Sequence, residues 1–507
     1  MQLQRPVLAL PSRRNRIVLG GLGVAAVGLT VFLAPPMVSA AGLALLGIGI
    51  PGVWLLWTQP EWGVLTIVFL TSSVIQPDQI DIRLPIGGLD LRDIMLLGML
   101  GLLVLKQGVR RNFHLPRSPI TMPLVLFLGL GVFSALRALL VLGIDPVWTL
   151  SEARAIAFYA MFFLVTLEIR ERRQLLRLLV GLVVLAGITA VLIIAQQFRG
   201  SNLLAAGMQS TSWQVLVKYG SAGEFGAIRV VPPGHVLVFL ASILSFNLLL
   251  FAGWRGITSF GVLLTFLFMN VGLLFTYTRS QWLASLLALG LSVLATPVRV
   301  KARMLVAALV LVPTLIMLVY AFPNGIAAIS EQVPFITPLY ERFHSIFTPE
   351  DTLDTYSLQG RILETETSLE AIGRAPVFGL GLGAAYRNIT RREAESGYTR
   401  FTRFIHNSYL YIATKMGLIT LLAFLLFCGT TLLRGTQIFR MLHDPLLKAV
   451  ALGSTVAFAG MMGWSVFFAH MFLTESTNVI GVTAALAEVC YQVSERARFT
   501  AEAVHGS

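Results

Sequence analysis

Charge and cysteine are both scarce in this 507-residue chain. Asp, Glu, Lys and Arg together make up 12% of it, and there are two cysteines. Soluble proteins of this length carry about twice that charge, so a water-soluble globular fold is excluded. Cys428 and Cys490 both fall in apolar stretches, which excludes a disulfide framework and a thiolate metal site. Internal repeats of solenoid length and low-complexity tracts are also missing. There is no Asp-x-Asp motif, and the nearest acidic grouping, Glu350, Asp351 and Asp354, has neither the His nor the carboxylate partners that a catalytic ion requires. It reads as a solvated acidic turn, so no metal and no cofactor is expected. Lysine is rare as well, five residues against 33 arginines; base composition explains that bias, and so does phosphate recognition by guanidinium groups.

What the chain has in quantity is apolar sequence, 56% of all residues. Apolar segments recur at 17–34, 40–57, 62–76, 92–106, 120–142, 153–168, 178–197, 233–252, 257–277, 281–296, 304–322, 408–432, 448–472 and 477–492. The pattern predicts an all-α polytopic membrane protein with about 12–14 transmembrane helices. The basic run Arg13, Arg14 and Arg16 before the first segment orients a retained helix rather than marking a cleaved signal. With the N-terminus inside, the connections 106–117, 170–177, 299–303 and 434–448 are all inside and all basic, and Arg496 and Arg498 join them. Topology thus absorbs much of the net charge of +13, and a nucleic-acid partner is not expected.

Three connections then face outward, 77–91, 198–232 and the 85-residue stretch 323–407. The last is long enough for a partly helical subdomain, and Ile362, Thr365, Leu369 and Ile372 carry helical spacing within it. The expected organisation is N-terminal helices over 1–76, a transmembrane core over 77–322, the large outer loop 323–407, and C-terminal helices with a tail over 408–507.

Arginine on the outer side runs against the topological rule. Arg229 and Arg279 lie there, and from Arg374 the large loop holds Arg374, Arg387, Arg391, Arg392, Arg400 and Arg403 against only Glu393 and Glu395. A cationic wall at the lip of apolar helices suits an anion whose remainder is lipid, since Coulomb attraction grows where water is thinned; an ordinary solvated loop face is the plainer alternative. Arg279 stands alone between two apolar segments, beside Trp282 as an interfacial marker. At the end of the loop come His406 and Asn407, immediately before a new apolar segment. A histidine there meets water, a lipid head group or a substrate. Asn407 is placed to cap the helix that starts near Ser408, and Gly417 about three turns on is placed for close helix packing.

The run Thr278-Arg279-Ser280-Gln281-Trp282-Leu283-Ala284, with His406-Asn407 followed by nine residues, Gly417, two residues and Thr420, resembles the O-antigen ligase superfamily. That superfamily also takes in O-antigen polymerases and pilin-type oligosaccharyltransferases. Weaker similarities are Leu89-Asp90-Leu91-Arg92-Asp93, Glu152 with Arg154, and Pro376-x-x-Gly379-x-Gly381. They extend the resemblance over about 77–475, leaving the first two helices outside it; Trp282 stands one position beyond an often Gly or Ala site. The resemblance implies a GT-C-like membrane glycosyltransferase at the periplasmic face of the bacterial inner membrane. It implies an undecaprenyl diphosphate-linked glycan as donor, a lipid A-core sugar hydroxyl or other glycan as acceptor, and metal-independent transfer with inversion. In that reaction His406 and Arg279 are the catalytic candidates, Arg229, Arg279 and Arg403 bind the diphosphate, and Asn407 and Gly417 give structural support.

Other readings stay open. A polymerase uses the same donor with a second lipid-linked glycan as acceptor. A polysaccharide transporter requires charges along a path in mid-span, whereas charges here crowd at helix ends, with Arg137 the nearest exception. A scaffold in an assembly complex tolerates loss of Arg279 and His406. Gly379-Leu380-Gly381-Leu382-Gly383 is no dinucleotide fingerprint, because no βαβ unit surrounds it; at most its amides meet a phosphate. His114, His235, His344, His443, His470 and His505 show no metal-ligand spacing and read as structural or surface residues.

Overall fold

The computed structural model describes residues 52–72, 91–199, 214–217, 228–252, 257–298, 301, 355–388 and 402–505. The chain divides into two compact units, Met1–Trp62 and Gly63–Ser507. The apolar stretches 17–34 and 304–322, much of 40–57, and the acidic grouping at 350–354 lie outside the described residues.

The protein is an all-α polytopic membrane protein. Its helices are α1 (Pro60–Ser72), α2 (Leu91–Val109), α3 (Thr121–Leu140), α4 (Pro146–Ala157), α5 (Met161–Glu168), α6 (Arg172–Arg199), α7 (His235–Ala252), α8 (Ile257–Leu274), α9 (Arg279–Ala295), α10 (Thr355–Arg374), α11 (Ser408–Met441), α12 (Pro445–Trp464) and α13 (Thr474–His505). A single 3₁₀ turn, Phe158–Ala160, joins α4 to α5. A short antiparallel pair, β1 (Gln214–Val217) and β2 (Ile228–Val231), interrupts the helical pattern, with Leu216 opposite Arg229. Among the described residues five helices are long and apolar enough to span a membrane: α3, Pro146–Glu168, Arg172–Ala195, α11 and α12; a bent pair ending in α1 makes a sixth if counted as one span. His235–Phe251, Ser259–Leu274 and Arg279–Ala295 are shorter apolar helices. The helix α10 fills the place where helical spacing was read in the large loop, but Ile362 and Leu369 are exposed while Glu364, Ser368 and Ala371 are buried. Its protein-facing side is thus not the apolar stripe.

Local chemistry starts these helices. Asp145 and Asp444 cap α4 and α12, each accepting from backbone amides of the first turn, and each is followed by a proline at N1, the residue whose missing N–H costs nothing there. Asn407 does the same for α11, accepting from Tyr409 N at 2.9 Å and Leu410 N at 3.1 Å.

The helix α12 sits in the middle, packed by α7, α9, α11 and α13, while α11 also packs on α3 and α13 on α5. Gly460 makes this crossing possible: a Cβ there would press on Phe239, the Ala284 carbonyl and Ala288. Lipid offers no hydrophobic drive for helix association, so close packing and polar links between helices take that role. Asn247 Nδ2 donates to Ser292 Oγ at 2.9 Å and Asn270 Nδ2 to Ser242 Oγ at 2.9 Å, tying α7 to α9 and α8. Around Tyr159 the rings of Phe127, Phe424 and Phe427 meet edge to face, the favoured aromatic geometry.

The apolar stretch 448–472 is not one helix. α12 ends at Trp464, a turn follows, and a 3₁₀ turn runs from His470 to Phe472. Hydropathy shows no break because the turn residues, Val466 to Ala469, are themselves apolar. Since α11, α12 and α13 run up and down, His406 and the Arg434–Glu488 pair lie at opposite ends of the bundle. The basic connections meet at the end away from His406: Arg172 pairs with Asp444 at 2.6 Å, and Ser118 and Arg434 both reach Glu488, at 2.6 and 2.7 Å. Burial alone would raise the Asp444 carboxyl, but the bond from Arg172 and the amides of Leu447 and Leu446 hold it below the usual carboxylate range.

Glu488 is buried and joins three segments. Glu488→Ala leaves the Arg434 guanidinium without its partner, which costs about 3–5 kcal/mol. A clear fall in thermal unfolding temperature in detergent, largely reversed in the Arg434→Met/Glu488→Met double variant, is the expected outcome.

Candidate functional site

His406 is fixed by a carboxylate. Its Nδ1 lies 2.8 Å from Glu364 Oε2 and 3.0 Å from Oε1, and its backbone N–H also reaches Oε2 at 3.3 Å. A carboxylate only accepts, so Nδ1 carries the proton and Nε2 is left as the basic nitrogen. Glu364 comes from the buried side of α10, and its side chain is 10% exposed against 27% for His406. The pair forms one wall of a cleft of about 490 Å³ whose other lining includes Arg361, Glu366, Leu410, Val466 and Phe467. Phe404 and Phe468 stand at the edges of the imidazole, 5.0 and 6.2 Å between centroids. The arrangement presents a hydrogen-bonded imidazole, a guanidinium and exposed apolar side chains to one cleft.

Ten residues after the Asn407 cap, α11 is broken. Gly417 adopts φ +86° and ψ 170° inside it, a backbone region open to glycine and strained for other residues. The carbonyls freed by the break accept from a loop: Leu380 N donates to Thr414 O at 2.9 Å and Gly381 N to Lys415 O at 2.9 Å, while Leu418 N donates to Pro376 O at 2.8 Å. A Cβ on Gly417 would overlap the backbone of Val377. The close approach at Gly417 is therefore made by a loop and not by a neighbouring helix.

That loop, the glycine run 379–383, is held from every side. Arg137 donates to the Phe378 and Gly379 carbonyls at 3.1 and 2.9 Å, Thr149 to Leu382 O at 3.2 Å, and Arg403 Nε to Gly383 O at 3.0 Å. Gly383 N donates to Glu152 Oε2 at 2.6 Å, and the other oxygen of Glu152 pairs with Lys415 Nζ at 3.1 Å. Lys415 also donates to Ala384 O and has no exposed side-chain surface. The amides of this run are thus spent on protein groups, which leaves little for a phosphate.

Arg279 opens α9, half-buried, next to a ring cluster. Trp464 Nε1 donates to Ser280 Oγ at 3.1 Å, and the Trp464 ring lies 3.7 Å from that of His470, which in turn neighbours His235 at 5.2 Å and Phe468 at 4.5 Å. Phe468 is the ring beside His406, so ring contacts run from His406 to Trp464, which is bonded to Ser280, the residue after Arg279. Trp282 is buried and donates to Leu273 O at 3.0 Å. Burial, and next the neighbouring His235, hold the His470 imidazole well below the usual histidine range. Its Nε2 is buried without a hydrogen-bond partner among the described residues.

Of the residues singled out from sequence, His406 and Asn407 meet in one place: both line the cleft, and Asn407 also caps α11. Arg279 is not in the cleft lining; the residue after it, Ser280, is bonded to Trp464 of the ring cluster. Arg403 lies over the Trp148 ring, 4.5 Å from its centroid, and holds Gly383. Arg229 lies on β2, and its side chain is outside the described residues, as are Arg391, Arg392 and Arg400. Arg374 reaches Glu370 on the exposed face of α10, and Arg387 lies against Tyr386. The cation that does line the cleft is Arg361. Glu364, Arg361 and Lys415 escaped the sequence reading. Lys415 had a readable signal, a lone charge within an apolar segment; Glu364 had none to separate it from Glu366 and Glu370.

Residues 260–425 match the family model described as O-antigen ligase. The matched region runs from α8 to beyond the break in α11 and contains Arg279, Glu364, the glycine run, His406 and Gly417. No curated protein matches the chain. The match supports the O-antigen ligase superfamily, and with it an O-antigen ligase- or polymerase-like function on a lipid-linked glycan and a glycan acceptor.

Two outcomes follow from this packing. Gly417→Ala forces a side chain into a strained conformation and into the Val377 backbone, a loss of at least about 1–3 kcal/mol, so the protein unfolds at clearly lower temperature. For His470 the folded-state proton affinity is depressed, so below the unfolded pKa of about 6.5 the unfolded chain binds more protons and stability falls as pH falls, by at most about 1.4 kcal/mol per unit. Melting curves between pH 7 and 5 should show that decline in the wild type and a shallower one in His470→Gln.

Proposed function

We propose that this O-antigen ligase-type chain moves a glycan from undecaprenyl diphosphate to a sugar hydroxyl of lipid A-core at the periplasmic face of the inner membrane. The observation that carries the reading is the Glu364–His406 pair at the cleft. His406 Nε2 takes the proton of the acceptor hydroxyl as its oxygen bonds to the anomeric carbon. The bond from that carbon to the diphosphate oxygen breaks with inversion, and the electron pair leaves with the lipid diphosphate. Glu364 is a positioning residue: it fixes the imidazole tautomer and stabilises the imidazolium that forms, the role carboxylates have beside a general-base histidine.

Cations stabilise the departing diphosphate. Arg361 stands in the cleft, and Arg279 and Arg229 are the further candidates from the sequence; Arg403, engaged with Gly383 and Trp148, supports the wall instead. Ile362, Leu410, Val466 and Phe467 offer apolar surface to the polyprenyl chain. The transfer is metal-independent in this reading, as charge stabilisation falls to guanidinium groups. A polymerase reaction has the same donor half, and the acceptor alone separates the two.

The test is transfer in vitro by purified protein with undecaprenyl diphosphate glycan, lipid A-core and EDTA. Glycan on lipid A-core is expected for the wild type, with a loss of about 10²–10⁴-fold in kcat for His406→Ala and about 10–100-fold for Glu364→Gln, both folded as judged by melting temperature. Lengthening of the glycan on its lipid carrier would assign a polymerase, and undiminished transfer by His406→Ala would end the general-base role.

A further inference from the structure

At the end of the bundle away from His406 there is a second crevice, of about 370 Å³, which the transfer reaction leaves unused. Three segments distant in sequence form it: the connection between α2 and α3, the end of α5 with the residue pair that follows, and the last turns of α13. Arg117, Arg170 and Arg496 line it, one from each segment, together with His114. The single carboxylate in the lining is Glu495; the nearby Glu168 is engaged by Lys106. Among the described residues none of the three arginines is in an ion pair. Arg170 uses its Nε on the Leu167 carbonyl at 2.6 Å, one of five guanidinium donors. Burial first, and then Arg496 and Arg110, hold its guanidinium below the usual arginine range, as expected where like charges converge.

Positive connections on one side of a membrane protein have a topological origin, but that rule does not require them to converge. Folding here brings three arginines to one concave site at the expense of mutual repulsion, an arrangement that a bound anion relieves. Phe499 and Tyr491 lie in the lining, and Phe113 and Leu115 flank the lining residue His114 in the chain. Phe113, Leu115 and Phe499 are 69%, 53% and 61% exposed. Large apolar side chains around a basic pocket at the end of membrane helices suit a ligand with a phosphate at one end and hydrocarbon at the other.

We infer that this crevice binds the phosphate of an anionic phospholipid head group, with Arg117, Arg170 and Arg496 as its ligands and Phe499, with the exposed Phe113 and Leu115 that flank His114, against the acyl region. The bound lipid ties the α2–α3 connection and the end of α5 to α13.

Full-length protein in neutral detergent is titrated with phosphatidylglycerol or phosphatidylcholine, and binding is read by native mass spectrometry alongside the thermal unfolding temperature. Phosphatidylglycerol should be retained in preference to phosphatidylcholine and should raise the unfolding temperature. Arg117→Gln and Arg496→Gln should each weaken retention roughly fivefold, with unfolding in phosphatidylcholine unchanged. Equal retention of the two lipids, or wild-type retention by both variants, would overturn the inference. A full stabilisation by inorganic phosphate alone, lost in the same variants, would overturn the lipid assignment in favour of a soluble anion.

Discussion

Backbone groups freed inside a membrane protein must find partners within it, and the break of α11 at Gly417 sets that demand at the heart of the structure. The loop 376–383 answers it. Its amides take the Thr414 and Lys415 carbonyls, and its Pro376 carbonyl takes Leu418 N. Because glycine permits φ +86° and leaves room for the Val377 backbone, the loop crosses the helix at backbone contact distance. Everything on the His406 side is hung on this junction: α10 leads into the loop from one end, and the loop returns through Arg403 to His406 at the other.

Charge completes the junction. Lys415 and Glu152 are a buried pair, and each also binds the loop, Glu152 at Gly383 N and Lys415 at Ala384 O. A buried ion pair adds little net stability over apolar packing and is costly to break. Its effect here is placement: with Arg137 and Arg403 it satisfies one particular course of the glycine run, and so holds α10 where Glu364 can face His406. The imidazole is then held at Nδ1 and by its own backbone amide, leaving one nitrogen for chemistry at the cleft.

The two ends of the bundle use arginine differently. Around His406 most described arginines are committed to carbonyls, rings or carboxylates that shape the cleft, and Arg361 lines it. At the far end Arg172 and Arg434 join helices through Asp444 and Glu488, while Arg117, Arg170 and Arg496 converge without such partners among the described residues. Composition alone cannot separate these uses, since all are arginines at the ends of apolar segments.

Sequence by itself determined what depends on local pattern. Runs such as 120–142 and 257–277 foretold α3 and α8, because a bilayer demands apolar length and internally bonded backbone. Asn407 before Ser408 foretold a helix start, because capping acts over three residues. The spacing from His406 to Gly417 and Thr420 pointed to the family. What only the tertiary structure decided depends on partners far apart in the chain. Glu364 faces His406 from 42 residues away, yet in sequence it is one glutamate among several on an amphipathic helix. The turn after Trp464 is as apolar as the helix before it, so hydropathy carries no mark of the place where Phe468 and His470 are set between Trp464 and His406. Gly417 announced a close approach, but whether a helix or a loop fills the space is fixed by which backbone groups need partners once the chain is packed.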